Sequence, residues 1–326
     1  MTGMMSRRAT FGIAASAVTA RGAAAQAWPT RSVRMVVPYP PGGASDIIAR
    51  VMAQPMTEML GQTVIIENRP GANGQIAAEQ IARGTADGYT IMMGNAGPNA
   101  LSQALLGSRL PYDSVRDFSF VSIVSAVPMA IGVHPSTQAN NLQELLALAR
   151  ARPGVVNYAI GGVGAAPHLT MEHLASITGV RFTAVGFRGG QLAMTAVIGG
   201  QIPFIIDTAP VVLSQVREGR LRGIAVTTLN RVPLAPDVPT IAEQGFPGFE
   251  ATSWGGIVAP PNLPAPIAQR LNQVVVAVMQ RADVRETLAR QGIEARWTTS
   301  DQFRDHVASE LRRWTEVVRV ANIQPE

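Results

Sequence analysis

The chain has 326 residues, 47% of them apolar and 15% charged, which suits about two packed domains at roughly 150 residues each and excludes the disordered, collagen-like and low-complexity classes. All 27 basic residues are Arg, against 22 Asp and Glu. Three of those arginines (Arg7, Arg8, Arg21) precede residue 28, so the rest of the chain is nearly neutral and offers no clustered basic-and-aromatic surface for nucleic acid. There is no cysteine, which excludes disulfides, thiolate catalysis and cysteine metal sites.

Along the chain, Arg7-Arg8, a short apolar stretch over 11–20 and the small-x-small exit Ala25-Gln26-Ala27 form the pattern of a secretory signal peptide at 1–27, cleaved after Ala27. Ser6-Arg7-Arg8 resembles a twin-arginine signal, although Thr10 stands where a hydrophobic residue is usual. No later apolar run reaches the ~20 residues that span a bilayer, so a soluble periplasmic domain is expected. Strands are predicted over 33–37, 63–67 and 89–93, each followed by a helix (46–60, to 83, and to 106). An apolar stretch over 118–133, broken at Pro128, reads as a crossing segment. The alternation resumes with helix 142–150, strand 156–160, helix 167–178, strand 182–185, helix 191–198 and strands 202–206 and 223–227. Strand 254–259 and a proline-rich turn over 260–266 lead into three closing helices. The last covers 300–320, with Arg312, Arg313 and Arg319 on a solvated face. This pattern predicts α/β architecture with parallel layers. It fits two doubly wound domains, 28–130 with 254–326 and 131–253, crossing near 125–131 and 250–255 around a hinged cleft.

A junction of strand, glycine-rich loop and helix recurs: Pro38-Tyr39-Pro40-Pro41-Gly42-Gly43-Ala44-Ser45-Asp46, Gly71-Ala72-Asn73-Gly74, the loop from Gly94 and Asn95, Gly161-Gly162-Val163-Gly164-Ala165-Ala166-Pro167, and Phe187-Arg188-Gly189-Gly190. Ligands of open parallel sheets sit outside the carboxyl ends of strands, where such loops gather. Glycine admits close backbone approach, and helix N-termini offer unpaired N–H groups to an anion. Converging loops therefore predict a carboxylate socket, with Tyr39 lining it. Ser45 or Asp46 is predicted to cap the first helix and Asn73 the second, with Pro167 in the first turn of its own. His168 is expected beside the Gly162–Ala165 loop, donating a hydrogen bond that shapes it or touches the ligand. Asp46 and Asp207 end elements that face the cleft, as loop braces or ligand contacts.

Enzyme signatures are missing. There is no Gly-x-Ser-x-Gly elbow, no third glycine after Gly162-Val163-Gly164, no Lys for a phosphate loop, and no His-Glu-x-x-His zinc order. His168 and Glu172 are four apart with His173 next, but the two histidines fall on different faces of a helix. No catalytic residue, metal or cofactor is expected. Trp254, at the second crossing, is expected mainly to pack.

At these loops the sequence resembles the Bug (TctC) family, the extracytoplasmic solute receptors of tripartite tricarboxylate transporters. The resemblance rests on Val36-Val37-Pro38-Tyr39-Pro40-Pro41-Gly42-Gly43-Ala44-Ser45-Asp46 with Ala49-Arg50, Glu67-Asn68-Arg69-Pro70-Gly71-Ala72, Asp87-Gly88-Tyr89-Thr90, Tyr158-Ala159, Phe187-Arg188-Gly189-Gly190, Pro236-Asp237-Val238-Pro239-Thr240 and Trp254-Gly255-Gly256. It implies a type II periplasmic-binding-protein fold that closes on its ligand, no catalysis, a monomer, and delivery to membrane subunits of a transporter. By resemblance the loop Tyr39, Gly42, Gly43, Ala44, Ser45, Asp46 and the loop Gly161, Gly162, Gly164, Ala165 grip a carboxylate through main chain and bridging waters. Asn73 and Asn95 flank the site, and His168, Arg188 and Asp207 complete the candidate set. Two places that usually carry hydroxyls hold Ile160 and Ala165, and Pro203 stands where Asp is common. Losing hydrogen bonds of ~0.5–1.5 kcal/mol each points to a ligand less polar than citrate or an amino acid, an aromatic or short aliphatic monocarboxylate. A sensor that docks on a signalling partner would share all these residues. A secreted enzyme with Asp46 or His168 as general base is the remaining alternative.

Overall fold

A computed structural model describes residues 28–320 together with Met1 and Ile323; the signal peptide expected at 1–27 lies outside the described residues. In the first part of the chain β1 (Val33–Val37) is followed by α1 (Ala44–Leu60), β2 (Val64–Asn68), α2 (Gln75–Ala82) and β3 (Thr90–Asn95). β1 lies between β2 and β3, parallel to both. α1 ends on Gly61, whose left-handed φ of 68° favours glycine and whose N–H returns to the Thr57 carbonyl at 3.0 Å. After β3 the chain makes one wide turn over Gly97–Leu101 before α3 (Ser102–Leu106).

The next strand, β4 (Ser119–Val133), is 15 residues long and almost wholly buried. The later elements are α4 (Leu142–Ala151), β5 (Asn157–Ile160), α5 (Ala166–Thr178), β6 (Thr183–Gly186), α6 (Gly190–Ile198), β7 (Phe204–Thr208), α7 (Ala209–Arg217), β8 (Arg222–Val226), β9 (Thr252–Ala259), α8 (Ala265–Gln280), α9 (Ala282–Arg290), β10 (Glu294–Ala295) and α10 (Ser300–Val320). The sheet runs β2-β1-β3-β9-β4-β7-β5-β6, with β8 and β10 also on β4. β4 pairs with β9 from Ser119 to Pro128, then with β7 and β8 from Met129 or Ala130 to Val133. Pro128 does not break the strand. It stands where the partner changes, and there its missing N–H is not needed.

The expectation of purely parallel layers is corrected. β9 returns from the second half against both β3 and β4, and β7 and β8 also run against β4, so the middle of the sheet is antiparallel. Two elements escaped the sequence pattern. α7 hides in the run Ala209–Arg217, where Pro210 starts a helix whose apolar residues suit a strand equally well. β10 is only two residues long.

Helices cover both faces. On one face α1, α8 and α9 close over the first half through Ile48, Met52, Leu271 and Leu288, and α6 and α7 close over the second through Ala193 and Leu213. On the opposite face a single apolar cluster continues across both halves, from Val36 and Trp254 to Tyr158 and Phe204. α10 contributes Phe303, Val307, Glu310 and Trp314 to this face, a 4-3-4 spacing along one stripe. Phe303 is fully buried and meets Phe120 and Trp254 edge-on, with ring centroids 5.1 and 5.4 Å away. It lies so close to β9 that a Cβ on Gly256 would fall 2.3 Å from the Phe303 ring. The variant Gly256→Ala is therefore expected to push α10 off the sheet and destabilise the protein by about 1–3 kcal/mol. Thermal melting checks this, and a variant as stable as the parent would refute it.

Candidate functional site

The carboxyl ends of β1 and β3 face those of β5, β6 and β7 across a cavity of about 350 Å3, backed by the crossing residues Val127, Ser253 and Trp254. Of the sequence-predicted residues, Tyr39, Gly43, Ala44, Ser45, Asn73 and Asn95 line it from the first half, and Gly161, Ala165, Arg188 and Asp207 from the second. Gly42, Asp46, Gly162, Gly164 and His168 do not line it.

Four helices begin at this cavity without side-chain caps, α6 from Gly189 and α7 from Thr208 beside α1 and α5. α1 starts from Gly43 (φ −81°, ψ 168°) and α5 from Ala165 (φ −73°, ψ 162°), and no side chain bonds to either first turn. The expected caps are thus corrected: neither Ser45 nor Asp46 caps α1, and α2 starts from Gly74, not Asn73. Uncapped first-turn N–H groups keep their hydrogen-bonding capacity and the positive end of the helix dipole. Here they come from both halves.

The polar side chains around them mostly hold backbone in place. Asp46 is buried and accepts hydrogen bonds from the Gly42 N–H (3.0 Å), Arg50 Nε (2.9 Å) and Asn68 Nδ2 (2.8 Å). Burial works against its charge, but the bonds from Arg50, Gly42 and Asn68 outweigh it and hold the carboxyl below its ordinary pKa. Asp46 is spent on shaping the 39–43 loop. The Tyr39 hydroxyl sits 3.2 Å from both Asn73 Oδ1 and Asn95 Oδ1, and burial raises its pKa well above the ordinary value. Asn95 in turn donates to Ser45 Oγ (3.2 Å) and accepts the Gly97 N–H (2.9 Å). Asn73 holds a left-handed φ of 51°, and its buried Nδ2 has no hydrogen-bond partner among the described residues. This leaves a donor at the cavity wall.

In the second half His168 braces its loop by accepting the Gly164 N–H at Nδ1 (3.1 Å). The sequence had suggested that it donates. His173 stacks on Phe249, away from His168. A Cβ on Gly161 would lie 2.7 Å from the Gly190 nitrogen, and one on Gly190 would lie 2.3 Å from Asp207 Oδ2. These glycines let three neighbouring strand ends crowd together. Asp207 is 9% exposed and accepts the Thr208 N–H at 2.6 Å. Burial pushes its pKa up from 3.8 to about 6, with the Thr208 bonds pulling the other way. Arg188 is exposed, and its guanidinium forms no ion pair among the described residues.

The lips of the cleft lie near each other with space left between them. A Cβ on Gly189 would be 3.5 Å from Pro40 Cγ, and one on Gly162 would be 3.8 Å from Asn73 Oδ1. Sequence reasoning missed the lining residues Gln191, Leu192, Thr208 and Val211. The last two belong to the junction 207–211, where β7 passes directly into α7 without the glycine that flagged the others.

The tripartite tricarboxylate transporter family receptor (TctC) pattern matches residues 48–323. The chain belongs to this family. It is 36% identical to Protein BugT of Bordetella pertussis (strain Tohama I) over 95% of this chain and 94% of that one. Among solved structures it is similar to Rpa4515 of R. palustris with adipate (35% identity, TM-score 0.87, covering 92% of this chain and 100% of that one). It is also similar to MatC (Rpa3494) of Rhodopseudomonas palustris with bound malate (31%, 0.82, 89% and 100%). The fold is the mixed α/β fold of the TctC-type periplasmic solute-binding receptors.

Because Asp207 has its pKa raised in the folded TctC-family chain, its ionisation removes stability as pH climbs through about 4 to 6. Asp207→Asn avoids that loss and keeps an acceptor for the Thr208 N–H. The variant is expected to match the parent near pH 3.5 and to exceed it by on the order of 3 kcal/mol at pH 8, two pK units at ~1.4 kcal/mol each. Denaturant melts at the two pH values test this, and a gap that does not open with pH would refute it.

Proposed function

We propose that this chain is a periplasmic receptor that closes its two units, 28–130 with 254–326 and 131–253, on a small organic carboxylate. It then delivers that ligand to the membrane subunits of a tripartite tricarboxylate-type transporter. The observation that carries this reading is the pair of uncapped helix starts, at Gly43 and Ala165, on opposite walls of one cavity. A carboxylate between them would receive main-chain N–H groups from both units and hold the units together. Tyr39, Ser45, Asn73 and Asn95 surround this place with neutral donors, and Arg188 adds the one cationic side chain in the lining. The solved relatives carrying adipate and malate support a carboxylate as the ligand class.

The rest of the wall is apolar: Pro40, Ile48, Val127, Leu192, Val211 and Trp254. That composition, with Ala165 offering no hydroxyl at the start of α5, supports an aromatic or short aliphatic monocarboxylate; Ile160 is buried in the core and does not line the cavity. Export by the leader at 1–27 and function as a monomer belong to the same proposal. Among the described residues no helix is long and apolar enough to cross a membrane, so the transporter's own subunits would supply the membrane passage.

A thermal-shift screen of aliphatic and aromatic mono-, di- and tricarboxylates, amino acids and neutral controls tests the reading. Ligand at ~100 times its Kd adds ~2.7 kcal/mol, a rise of several degrees in Tm. Gly43 has an ordinary φ, and a Cβ there meets only the Pro40 carbonyl at 3.8 Å. Gly43→Phe is therefore expected to melt like the parent while losing the shift from every carboxylate that stabilises the parent. A Phe variant that still responds would move the socket elsewhere.

A further inference from the structure

Asp207 is the single acidic side chain in the cavity lining, and the carboxylate reading by itself gives it no task. We infer that Asp207 reads the second functional group of the ligand, accepting a hydrogen bond from a hydroxyl and turning away a second carboxylate, so that the cavity prefers hydroxylated monocarboxylates. This inference rests on the proposed carboxylate receptor and narrows its substrate class.

The placement carries the argument. Asp207 ends β7 between the end of β5 and β4, with Oδ2 against the backbone of Gly190 at the start of α6. Thr208 accounts for its hydrogen bonds, which leaves acceptor positions on a carboxylate that can take about four. Among the described residues no ion pair neutralises it: Arg188 lies in the same lining but does not pair with it. Around it the lining contributes uncharged side chains, among them Tyr39 from the β1–α1 loop, Gln191 on α6 and Val211 on α7, and Ala130 stands opposite it on β4. Asp46 is tied to Arg50 and the Gly42 N–H, and His168 to the Gly164 N–H, both outside the lining.

A ligand held by its carboxylate at the two helix starts then presents its other end to a desolvated carboxylate. A hydroxyl there finds an acceptor. A second carboxylate meets a like charge in a medium where repulsion is strong, unless a proton enters between the two. A site built to bond a particular group discriminates far more sharply than an apolar wall does. Burial already raises the Asp207 pKa to about 6, so the proton needed for a dianion is available in mild acid and scarce at pH 8.

Three matched sets test this in the full exported chain: butyrate, 4-hydroxybutyrate and succinate; hexanoate, 6-hydroxyhexanoate and adipate; benzoate, 4-hydroxybenzoate and terephthalate. Calorimetry at pH 8 is expected to rank the hydroxy acid first and the dicarboxylate last in whichever set binds, at least tenfold apart. Lowering the pH to 6.5 should strengthen dicarboxylate binding about tenfold. In Asp207→Asn the dicarboxylate should gain at least tenfold at pH 8, and the pH effect should shrink to that of the ligand's own titration. A dicarboxylate that binds tightest to the parent at pH 8, or an Asn variant with unchanged ratios, overturns the inference. If the variant does not fold, the pH arm on the parent decides alone. Failure of the underlying reading looks different, because then no member of any set binds at either pH, and the inference falls with it.

Discussion

β4 is one strand serving two halves of the sheet, and the rest of the structure is arranged around that fact. Its first ten residues pair with β9 and its last five with β7 and β8, the handover falling at Pro128. Thr227, fully buried just after β8, ties the two crossings together. Its hydroxyl accepts the Met129 N–H at 3.0 Å and donates to the Ala251 carbonyl, and its own carbonyl accepts the Ala251 N–H at 2.9 Å. The loops at the carboxyl ends of β1, β3, β5, β6 and β7 face each other across the cavity.

Within that frame the site is made of backbone more than of side chains. A chain whose only basic residue type is Arg, and whose cavity lining holds one Arg, still presents uncapped helix starts to an anion. The ionisable groups nearby are mostly braces. Asp46 fixes the loop that precedes α1, His168 fixes the loop that precedes α5, and the Tyr39–Asn95–Ser45 chain spans from one loop to the next. Rigid loops matter here because an N–H group aimed a fraction of an ångström wrong loses most of a hydrogen bond. Asp207 is the exception: it fixes no distant backbone and carries a charge that burial disfavours.

Much of this was legible in the sequence, for identifiable reasons. β1 and α10 stand at their predicted limits because a β-branched run before Pro38 and an amphipathic 4-3-4 stripe are local signals. The antiparallel middle of the sheet was not legible, since pairing direction depends on where β9 returns from the second half. α7 was lost because Ala209–Arg217 satisfies strand and helix patterns alike. The glycine junctions marked the loops of the cavity, but not which way each side chain points. Asp46 and His168 sit in the first turns of α1 and α5 and reach back to hold the loops before them. Val211 lines the cavity from a junction that carries no glycine, and Leu192 lines it two residues past Gly190, inside α6.

The lips of the cleft supply the last constraint. Closure is favoured only by contacts that exist in the closed state alone, and between lips made largely of glycine and proline such contacts are few. Gly189 against Pro40 and Gly162 against Asn73 leave room for approach but bury little apolar area themselves. Under the proposed function, the larger closed-state gain would come through the ligand, from N–H groups of α1 and α5 brought together about one anion. A closing surface with strong adhesion of its own would shut without cargo and present an empty receptor to its partner. Sparse lips over a well-braced socket tie closure to occupancy. On this argument the glycines that make the loops recognisable in the sequence do two jobs: they admit the ligand to the backbone, and they keep the two halves from adhering without it.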